Sequence, residues 1–342
     1  MNSHLKILVI GDPHFRTKQV DIGDLLIIKC TKAVNKYRPD IVVVLGDILH
    51  THNSTKQIPY NQAGKFIEAL SQCSKVHVLI GNHDYINNSQ FMSDNHFFNP
   101  MKKWENVFIV DKAQSFFYKN RKIVMCPYVP DGHFFEALNT VEDGWEDASL
   151  IFGHQTIHGV SEENDRIIEC SDIWDDSYPP LISGHIHKPQ MLNNVYYPGS
   201  AVQVDLNEDP EKRLWLVTLS DYSPFIFKKI NLHIKGHKQE TIKIEEVETF
   251  DVTLAEKYYI ILKIEGLSDE FLIFRKSPKY KEFIENGIKV SFKPITAYKS
   301  LFDDISTKNR YDTSYKSVLE ALVKTKSKNT QRAYEDLCSQ VD

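Results

Sequence analysis

Five short polar motifs, each led by a glycine, follow apolar segments of the chain. In chain order they are Gly11-Asp12-Pro13-His14, Gly46-Asp47-Ile48-Leu49-His50, Gly81-Asn82-His83-Asp84, Gly153-His154 and Gly184-His185-Ile186-His187. Short apolar runs bounded by turn residues are typical of buried strands, and ligands of open α/β sheets bind beyond the carboxyl ends of the strands. We therefore expect the five motifs to converge at one edge of the fold.

The segments between the first motifs alternate between strand-like and helix-like patterns. Continuous apolar runs predict strands at 6–10, 41–45, 76–80, 122–126, 150–152 and 180–182. Apolar residues at helical spacing predict helices at 22–37 and 60–71. This alternation indicates the α/β class, with a layered arrangement around a parallel or mixed sheet.

The pattern changes after residue 195. Short strands separated by turns are predicted at 195–197, 213–219 and 225–230, and the acidic segment 245–251 reads as a linker. A strand at 258–264, a helix at 270–286 interrupted near Pro278 and a strand at 288–293 then predict a small α/β unit. Two short helices, 311–324 and 331–339, complete the chain as a tail.

Composition limits the environment and the partners. The five cysteines form no close pair or CxxC motif, so we expect no disulfide framework and an intracellular, reducing compartment. No stretch approaches the roughly 20 apolar residues that span a bilayer, so no membrane association is expected. The net charge of −5 argues weakly against nucleic-acid binding. Residues 225–342 carry 21 basic and 18 acidic side chains, a balance that fits either phosphate contacts or an ordinary solvated, lysine-rich surface.

The residue types in the five motifs are suited to divalent metal ions. Asp, Asn and His supply oxygen and imidazole ligands without thiolates, a set that fits Mn²⁺, Fe²⁺ or Zn²⁺. Two such ions about 3.5–4 Å apart can share one carboxylate and clamp both oxygens of a phosphoryl transfer. The seven candidate ligands are Asp12, His14, Asp47, Asn82, His154, His185 and His187, with Asp47 shared.

The ordered series GDxH, GDxxH, GNHD, GH and GHxH resembles the calcineurin-like metallophosphoesterase superfamily. The second motif ends in His50 and lacks the arginine of the GDxxDRG motif of serine/threonine phosphatases. Together with Tyr197-Pro198-Gly199-Ser200, this makes the chain similar to the nuclease branch that holds SbcD-like subunits and the T-even phage recombination endonuclease subunit. The resemblance implies a sandwich of two β-sheets flanked by helices, a small α/β cap and a helical tail.

The resemblance also implies roles for individual residues. One metal would take Asp12, His14, Asp47 and His187, and the other would take Asp47, Asn82, His154 and His185. His83 would lie near the scissile phosphate without binding metal, Asp84 would orient its ring, and His50 would be a second non-ligand helper. The remaining histidines, including His52 and His158, are interpreted as ordinary surface or packing residues.

The function implied by the branch is Mn²⁺-dependent cleavage of DNA, as a 3′-to-5′ exonuclease and a single-strand endonuclease in a repair or recombination complex. Residues 1–232 would be the catalytic domain, 233–300 a DNA-binding cap and 301–342 a tail that binds an ATPase subunit with a long coiled coil. The chain has no GxxxxGK[ST] motif, so ATP dependence would come from that partner. A homodimer is a further form of assembly compatible with the resemblance.

Two other functions are compatible with the same residues. The first is a phosphodiesterase or phosphatase that acts on a small molecule such as a cyclic nucleotide, because the metal motifs do not distinguish it from a nuclease. The second is a non-catalytic scaffold, although such proteins usually lose metal ligands and all seven are present here. Metal content and a turnover assay would separate the scaffold from the enzymes.

Overall fold

The computed structural model describes residues 4–52, 56–220 and 225–295, together with positions 323, 324, 331 and 334. By its internal contacts the chain divides into two compact units. The first comprises Met1–Gln239, Val252–Ile261 and Asn286–Ile288, and the second comprises Glu240–Asp251, Leu262–Glu285 and Lys289–Asp342.

The first unit contains two six-stranded sheets. The first sheet has the order β12-β11-β1-β2-β3-β4, in which β1 to β4 run parallel and β11 is antiparallel to both β1 and β12. Its strands are β1 (Leu5–Ile10), β2 (Ile41–Val44), β3 (Lys75–Leu79), β4 (Val107–Val110), β11 (Arg213–Leu219) and β12 (Ile226–Asn231).

The second sheet has the order β5-β6-β7-β8-β10-β9 and is also mixed. Strands β6, β7, β8 and β10 are parallel, whereas β5 and β9 pair antiparallel at its two edges. Its strands are β5 (Gln114–Tyr118), β6 (Arg121–Met125), β7 (Leu150–Gly153), β8 (Leu181–Ser183), β9 (Gln190–Leu192) and β10 (Val195–Tyr197).

Side-chain alternation along the strands builds the layers. In β1, Ile7 and Val9 belong to a buried cluster shared with Met125 and Phe152 of the second sheet. Leu8 and Ile10 belong instead to a cluster with residues of the helices α1 (Val20–Tyr37) and α2 (Gln57–Ser71). Because successive strand residues point to opposite faces, the apolar run of β1 is buried on both sides.

A third cluster covers the outer face of the second sheet and includes Phe134 of α3 (Phe134–Leu138), Trp145 and Trp174. Two mixed sheets flanked by helices are therefore observed, and the predicted layered α/β sandwich is confirmed. The two early helices and the apolar strands lie within a few residues of their predicted bounds. Four strands were not predicted, namely β4, β5, β9 and the strand at His237–Lys243.

The small α/β elements that follow comprise a three-stranded sheet and three helices. The sheet has the order β13-β14-β15, with β13 at His237–Lys243, β14 at Tyr259–Gly266 and β15 at Lys289–Pro294. The helices are α4 (Leu254–Lys257), α5 (Ser268–Phe274) and α6 (Pro278–Glu285). The predicted interruption near Pro278 is present, because proline lacks an N–H and is accommodated in the first turn of a helix.

The prediction of a linker at 245–251 is wrong. Residues Ile244–Thr249 form a 3₁₀ helix, and Val247 and Phe250 are buried. The acidic side chains that suggested a linker, Glu245, Glu246, Glu248 and Asp251, are exposed around these two buried residues.

The predicted tail helices at 311–324 and 331–339 lie outside the described residues, apart from the four isolated positions. Among the helices that the structure does describe, none is long and apolar enough to cross a membrane.

Candidate metal centre

The five motifs lie just beyond the carboxyl ends of β1, β2, β3, β7 and β8, and the structure brings their polar side chains together. Three of the candidate ligands, His14, Asp47 and His185, have positive φ angles of 47°, 48° and 78°. Residues with side chains rarely adopt this left-handed conformation, and such strain is typical of functional sites. The loops after the strands are therefore held in shapes that turn the side chains inward.

Glycine at the start of a motif permits close approach between neighbouring loops. A Cβ on Gly81 would collide with the Asp47 carboxylate and backbone nitrogen, and one on Gly184 would lie 2.6 Å from Asp12 Oδ1. Both glycines are therefore required by the packing of the site, since any larger residue would displace a carboxylate.

His14, Asp47 and His187 form the first candidate metal-binding group. One ligand atom from each lies within 4.8 Å of the others. The Nε2 atoms of His14 and His187 are 2.9 Å apart, and His14 Nε2 is 3.6 Å from Asp47 Oδ2. Asp12 lies beside this group, with Oδ2 at 3.8 Å from His187 Nε2 and 3.0 Å from the backbone nitrogen of His185.

Asp47, His154 and His185 form the second candidate group. His154 Nε2 is 3.4 Å from Asp47 Oδ1, and Asn82 Oδ1 is 3.2 Å from the same nitrogen and 3.0 Å from His185 Nδ1. Asp47 thus belongs to both groups. All seven residues predicted as ligands lie in or beside these two groups.

Hydrogen bonds on the far side of the rings orient two of the histidines. His154 Nδ1 donates to the backbone oxygen of Leu45 at 2.7 Å, and His187 Nδ1 donates to Glu208 Oε1 at 2.9 Å. A ring nitrogen that donates carries the proton, so in the neutral ring the other nitrogen has a free lone pair. Both Nε2 lone pairs therefore face the candidate groups, as metal ligands require.

The residues fit a pair of divalent cations. Two facing ring nitrogens at 2.9 Å leave room for at most one proton between them, and a shared cation satisfies both lone pairs. Asp12 Oδ1 is buried and has no hydrogen-bond partner among the described residues. Nitrogen and carboxylate oxygen donors without sulfur are the ligands expected for Mn²⁺, Fe²⁺ or Zn²⁺.

The charges at the site also indicate cation binding. Burial raises the pKa of Asp12 and outweighs the nearby histidines. Burial would also raise the pKa of Asp47, but the charges of His154 and His14 hold it well below its ordinary value. Burial lowers the pKa of His185 to about 3, so this ring is neutral at pH 7. Burial also lowers the pKa of His14, whereas at His154 burial is outweighed by Asp47 and Asp12, which raise its pKa to about 9. Two buried carboxylates are thus gathered beside imidazoles of which His14 and His185 are neutral at pH 7 and His154 carries a positive charge, a place that a bound cation would take.

His83 lies at the mouth of the site and is not part of either group. Its Nδ1 donates to the backbone oxygen of His50 at 2.7 Å, and its Nε2 is 4.0 Å from Asp47 Oδ2. The side chain is 28% exposed, which leaves it accessible to a substrate. The predicted role of Asp84 in orienting this ring is wrong, because the carbonyl of His50 does so.

Asp84 instead ties two motif loops together. Its fully buried carboxylate accepts backbone N–H bonds from Ile48, Leu49 and Gly81, at 3.2, 3.0 and 3.0 Å. The sequence does not reveal this role, since it depends on a contact across 36 residues. Asp84 therefore supports the site as a loop anchor.

The imidazole of His50 flanks that of His83, with the rings nearly parallel and their centroids 6.0 Å apart. Burial lowers the pKa of His50 to about 4, so this ring is neutral at pH 7. His52, interpreted from sequence as an ordinary histidine, stacks directly on His83 with centroids 4.3 Å apart. The mouth of the site therefore has three neighbouring imidazoles.

Three further residues near the site, Glu208, Lys212 and Arg16, do not stand out in the sequence. Glu208 contacts the ligand His187, Lys212 pairs with Glu208 at 2.7 Å, and Arg16 donates to the backbone of residues 203 and 204. The only sequence signal for the first two is an acid and a base four residues apart in a polar segment. Such pairs are common on protein surfaces, so the signal does not single them out.

Residues 5–189 match the family described as calcineurin-like phosphoesterase. The chain is 38% identical over 280 residues to "Putative phosphoesterase 244L" of Invertebrate iridescent virus 6, covering 80% of this chain and 98% of that protein. It is 33% identical over 346 residues to "Putative phosphoesterase 078R" of Invertebrate iridescent virus 3, covering 94% of this chain and 96% of that protein.

Among solved structures, GAP50, the anchor in the inner membrane complex of Plasmodium, aligns with a TM-score of 0.43 and 12% identity. The alignment covers 67% of this chain and 85% of that chain. Similarity at this level supports no conclusion about activity.

Proposed function

The chain belongs to the calcineurin-like phosphoesterase family, and from this premise we propose that it is a two-metal phosphodiesterase that cuts DNA. The observation that carries the proposal is the pair of ligand groups that share Asp47, with His83 beside them. The family favours an enzyme over a non-catalytic scaffold.

The first ion would be held by Asp12, His14, Asp47 and His187, and the second by Asp47, Asn82, His154 and His185. When bound, two divalent ions acidify a water molecule and neutralise charge on the phosphoryl oxygens. Mn²⁺ is the proposed metal because the resemblance to the nuclease branch implies it, and the mixed carboxylate, amide and imidazole donors are compatible with it.

His83 is the proposed general acid. The His50 carbonyl holds its Nδ1–H, so Nε2 is the nitrogen that faces the site and, when protonated, can give its proton to the leaving oxygen. Asp47 Oδ1 accepts the backbone N–H of His83 at 2.9 Å, which couples the position of the acid to the shared ligand. His50, neutral at pH 7, would donate a hydrogen bond to a phosphate oxygen without adding charge.

Two features support DNA as the substrate. His50 stands where phosphatases of the superfamily carry the DRG arginine motif, which resembles the SbcD-like nuclease branch. Residues 233–300 are proposed as a DNA-binding cap, and Arg275 and Lys276 lie between its helices α5 and α6. Phosphate contacts release counterions, so binding would weaken steeply with salt.

A small-molecule phosphodiesterase is a second candidate, favoured by a cavity next to the site. The cavity has a volume of about 650 Å³ and borders His185 and His187. This volume lies within the range of small-ligand pockets. Its carboxylates, which include Asp131, Glu163 and Glu169, would repel the many phosphates of a nucleic-acid strand more than the single phosphodiester of a small substrate.

One experiment separates these candidates. The full chain is incubated with Mn²⁺ and a 5′-labelled duplex, a circular single strand, a nitrophenyl phosphodiester or a cyclic nucleotide. A nuclease shortens the duplex from its 3′ ends and opens the circle. Hydrolysis of the cyclic nucleotide with both DNAs intact would contradict the nuclease proposal and support the small-molecule phosphodiesterase.

The proposed partner is an ATPase subunit with a long coiled coil, bound by the tail at 301–342. In sequence, Leu319 and Leu322 lie on one stripe of a predicted tail helix. Replacing both by Asp should abolish co-purification with the ATPase subunit and any stimulation by ATP, while single-strand cleavage stays within about twofold, since the metal motifs are unchanged. Co-purification of the doubly substituted chain would place the contact elsewhere.

A further inference from the structure

We propose that the buried pair of Glu208 and Lys212 positions His187 as a metal ligand, an inference that rests on the proposed metal centre. Glu208 Oε1 accepts the Nδ1–H of His187 at 2.9 Å, and the Glu208 side chain is 1% exposed. This bond leaves the lone pair of His187 Nε2 directed at His14 and Asp12.

The carboxylate of Glu208 is itself held from several directions. Its Oε2 accepts from Lys212 Nζ at 2.7 Å, Ser200 Oγ at 3.1 Å and the backbone nitrogen of Val204 at 3.0 Å. Its Oε1 also accepts from the backbone nitrogen of Asp205 at 3.1 Å. A carboxylate with this many partners is held in one orientation. It therefore also fixes the orientation of the His187 ring, whose Nδ1–H it accepts.

The charge of Glu208 persists despite its burial. The ammonium group of Lys212, 2.7 Å from Oε2, compensates the charge of this buried carboxylate. Lys212 is buried too, with a side chain that is 5% exposed, and also donates to Ser200 Oγ at 2.9 Å. A carboxylate behind a histidine raises the basicity of its free nitrogen, which strengthens a metal bond.

The loop that carries Glu208 has other anchors. Arg16 donates to the backbone oxygens of Val204 and Gln203 at 2.9 and 3.1 Å, and Gln203 Nε2 donates to the oxygen of His237 at 2.8 Å. A buried ion pair is weak evidence for stability, because desolvation offsets its attraction. The loop does not need the Glu208–Lys212 pair to stay in place, so holding the ring of His187 is the role that accounts for the pair.

The test compares two double variants of the full chain. E208L/K212M removes the acceptor behind His187 without leaving an unpaired buried charge, whereas E208Q/K212M retains an amide oxygen for the Nδ1–H. Titration calorimetry with Mn²⁺ measures the number of ions bound and the affinity of each. We expect E208L/K212M to bind one of the two ions about 10–100-fold more weakly. We expect E208Q/K212M to recover most of that loss.

The matched control is D111L/K102M. It removes a carboxylate and lysine pair that contacts His96, a histidine that is not a ligand, and should leave both affinities within threefold of the parent. Parent-like affinities in E208L/K212M, no recovery in E208Q/K212M, or an equal loss in the control would each overturn the positioning role.

A measurement on the parent chain keeps the inference testable if E208L/K212M does not fold. In the metal-free chain at alkaline pH, where the ring is neutral, long-range ¹H–¹⁵N spectra should show the His187 proton on Nδ1. A proton on Nε2 would contradict the inference. If the parent binds no Mn²⁺ at all, the proposed metal centre fails, while the spectrum still reports on the Glu208 contact.

Discussion

Two polar clusters in the first unit, each built around a buried carboxylate, have the same kinds of groups and different consequences. His187, Glu208 and Lys212 form one, and His96, Asp111 and Lys102 form the other. In both, a carboxylate lies between an imidazole and an ammonium group.

The difference lies in the second nitrogen of each imidazole. His96 Nδ1 accepts the backbone N–H of Phe98 at 3.2 Å while its Nε2 donates to Asp111, so both nitrogens have partners inside the protein. His187 uses only Nδ1 in this way, and its Nε2 faces His14 Nε2 at 2.9 Å. The same residue types thus make a structural crosslink in one place and a ligand in the other, because the ligand keeps one lone pair free.

The largest expected effect comes from replacing the carboxylate that both ligand groups share. Asp47→Asn keeps the size of the side chain and the acceptor for the His83 N–H, but it removes the charge that two cations need. We expect a loss of Mn²⁺ affinity greater than the roughly 10–100-fold typical for removing a partner behind a ligand, and no measurable turnover. Metal analysis and a nitrophenyl phosphodiester assay measure both. If the Asp47→Asn variant bound two ions and turned over at the parent rate, Asp47 would not be the shared metal ligand.

His83→Gln should separate chemistry from metal binding. The ring donates to the His50 carbonyl and belongs to neither ligand group, so the variant should keep both ions. Turnover should fall by about 10²–10⁴-fold, the usual contribution of a general acid. The check is the ratio of kcat to bound Mn²⁺, with His133→Gln, an exposed histidine paired with Glu136, as the control. Loss of both metals in His83→Gln would make it a ligand instead.

Asp111→Asn should lower stability and leave the metal centre unchanged. Burial would raise the pKa of Asp111, but His96 and Lys102 outweigh it and lower the pKa. A carboxyl whose pKa is lower in the folded than in the unfolded chain contributes stability above its unfolded pKa of about 3.9, and this contribution is lost as pH falls through the folded value. Urea unfolding should give a loss of about 1–3 kcal/mol at pH 7 that shrinks below about pH 4. A difference that grew as the pH fell would contradict this sign.

The smallest effect is expected from Lys102→Met. The Lys102 side chain is 35% exposed, whereas that of Lys212 is 5% exposed, so solvent screens its attraction to Asp111. The loss in unfolding free energy should be at most about 1 kcal/mol, the usual limit for exposed pairs. A loss as large as that of Asp111→Asn would show that Lys102, and not His96, supports the carboxylate.

The strands and helices that were predicted well share one property: each carries its own apolar pattern. The run 41–45 is apolar at every position, and the helix over 22–37 repeats apolar residues at helical spacing, so local sequence determines both. Strands β5 and β9 have mixed patterns and pair at the edges of the second sheet. Their conformation depends on a neighbouring strand, which local sequence does not contain. Strand β4 differs, because Val107–Val110 is apolar at every position and its pattern alone would have predicted it.

The sequence by itself determined the α/β class, the strands that carry the five motifs and the seven candidate ligands. Glycine-led polar loops that follow buried parallel strands all lie at the carboxyl edge of the sheets, so the motifs could be placed together without a structure. Only the tertiary structure decided how those ligands are held. In the folded chain the His50 carbonyl orients His83, and Asp84 holds two loops together. Glu208 lies behind His187 and accepts its Nδ1–H. The physical reason is that these roles are hydrogen bonds between distant segments. Which nitrogen of a histidine stays free depends on what folding places behind the ring.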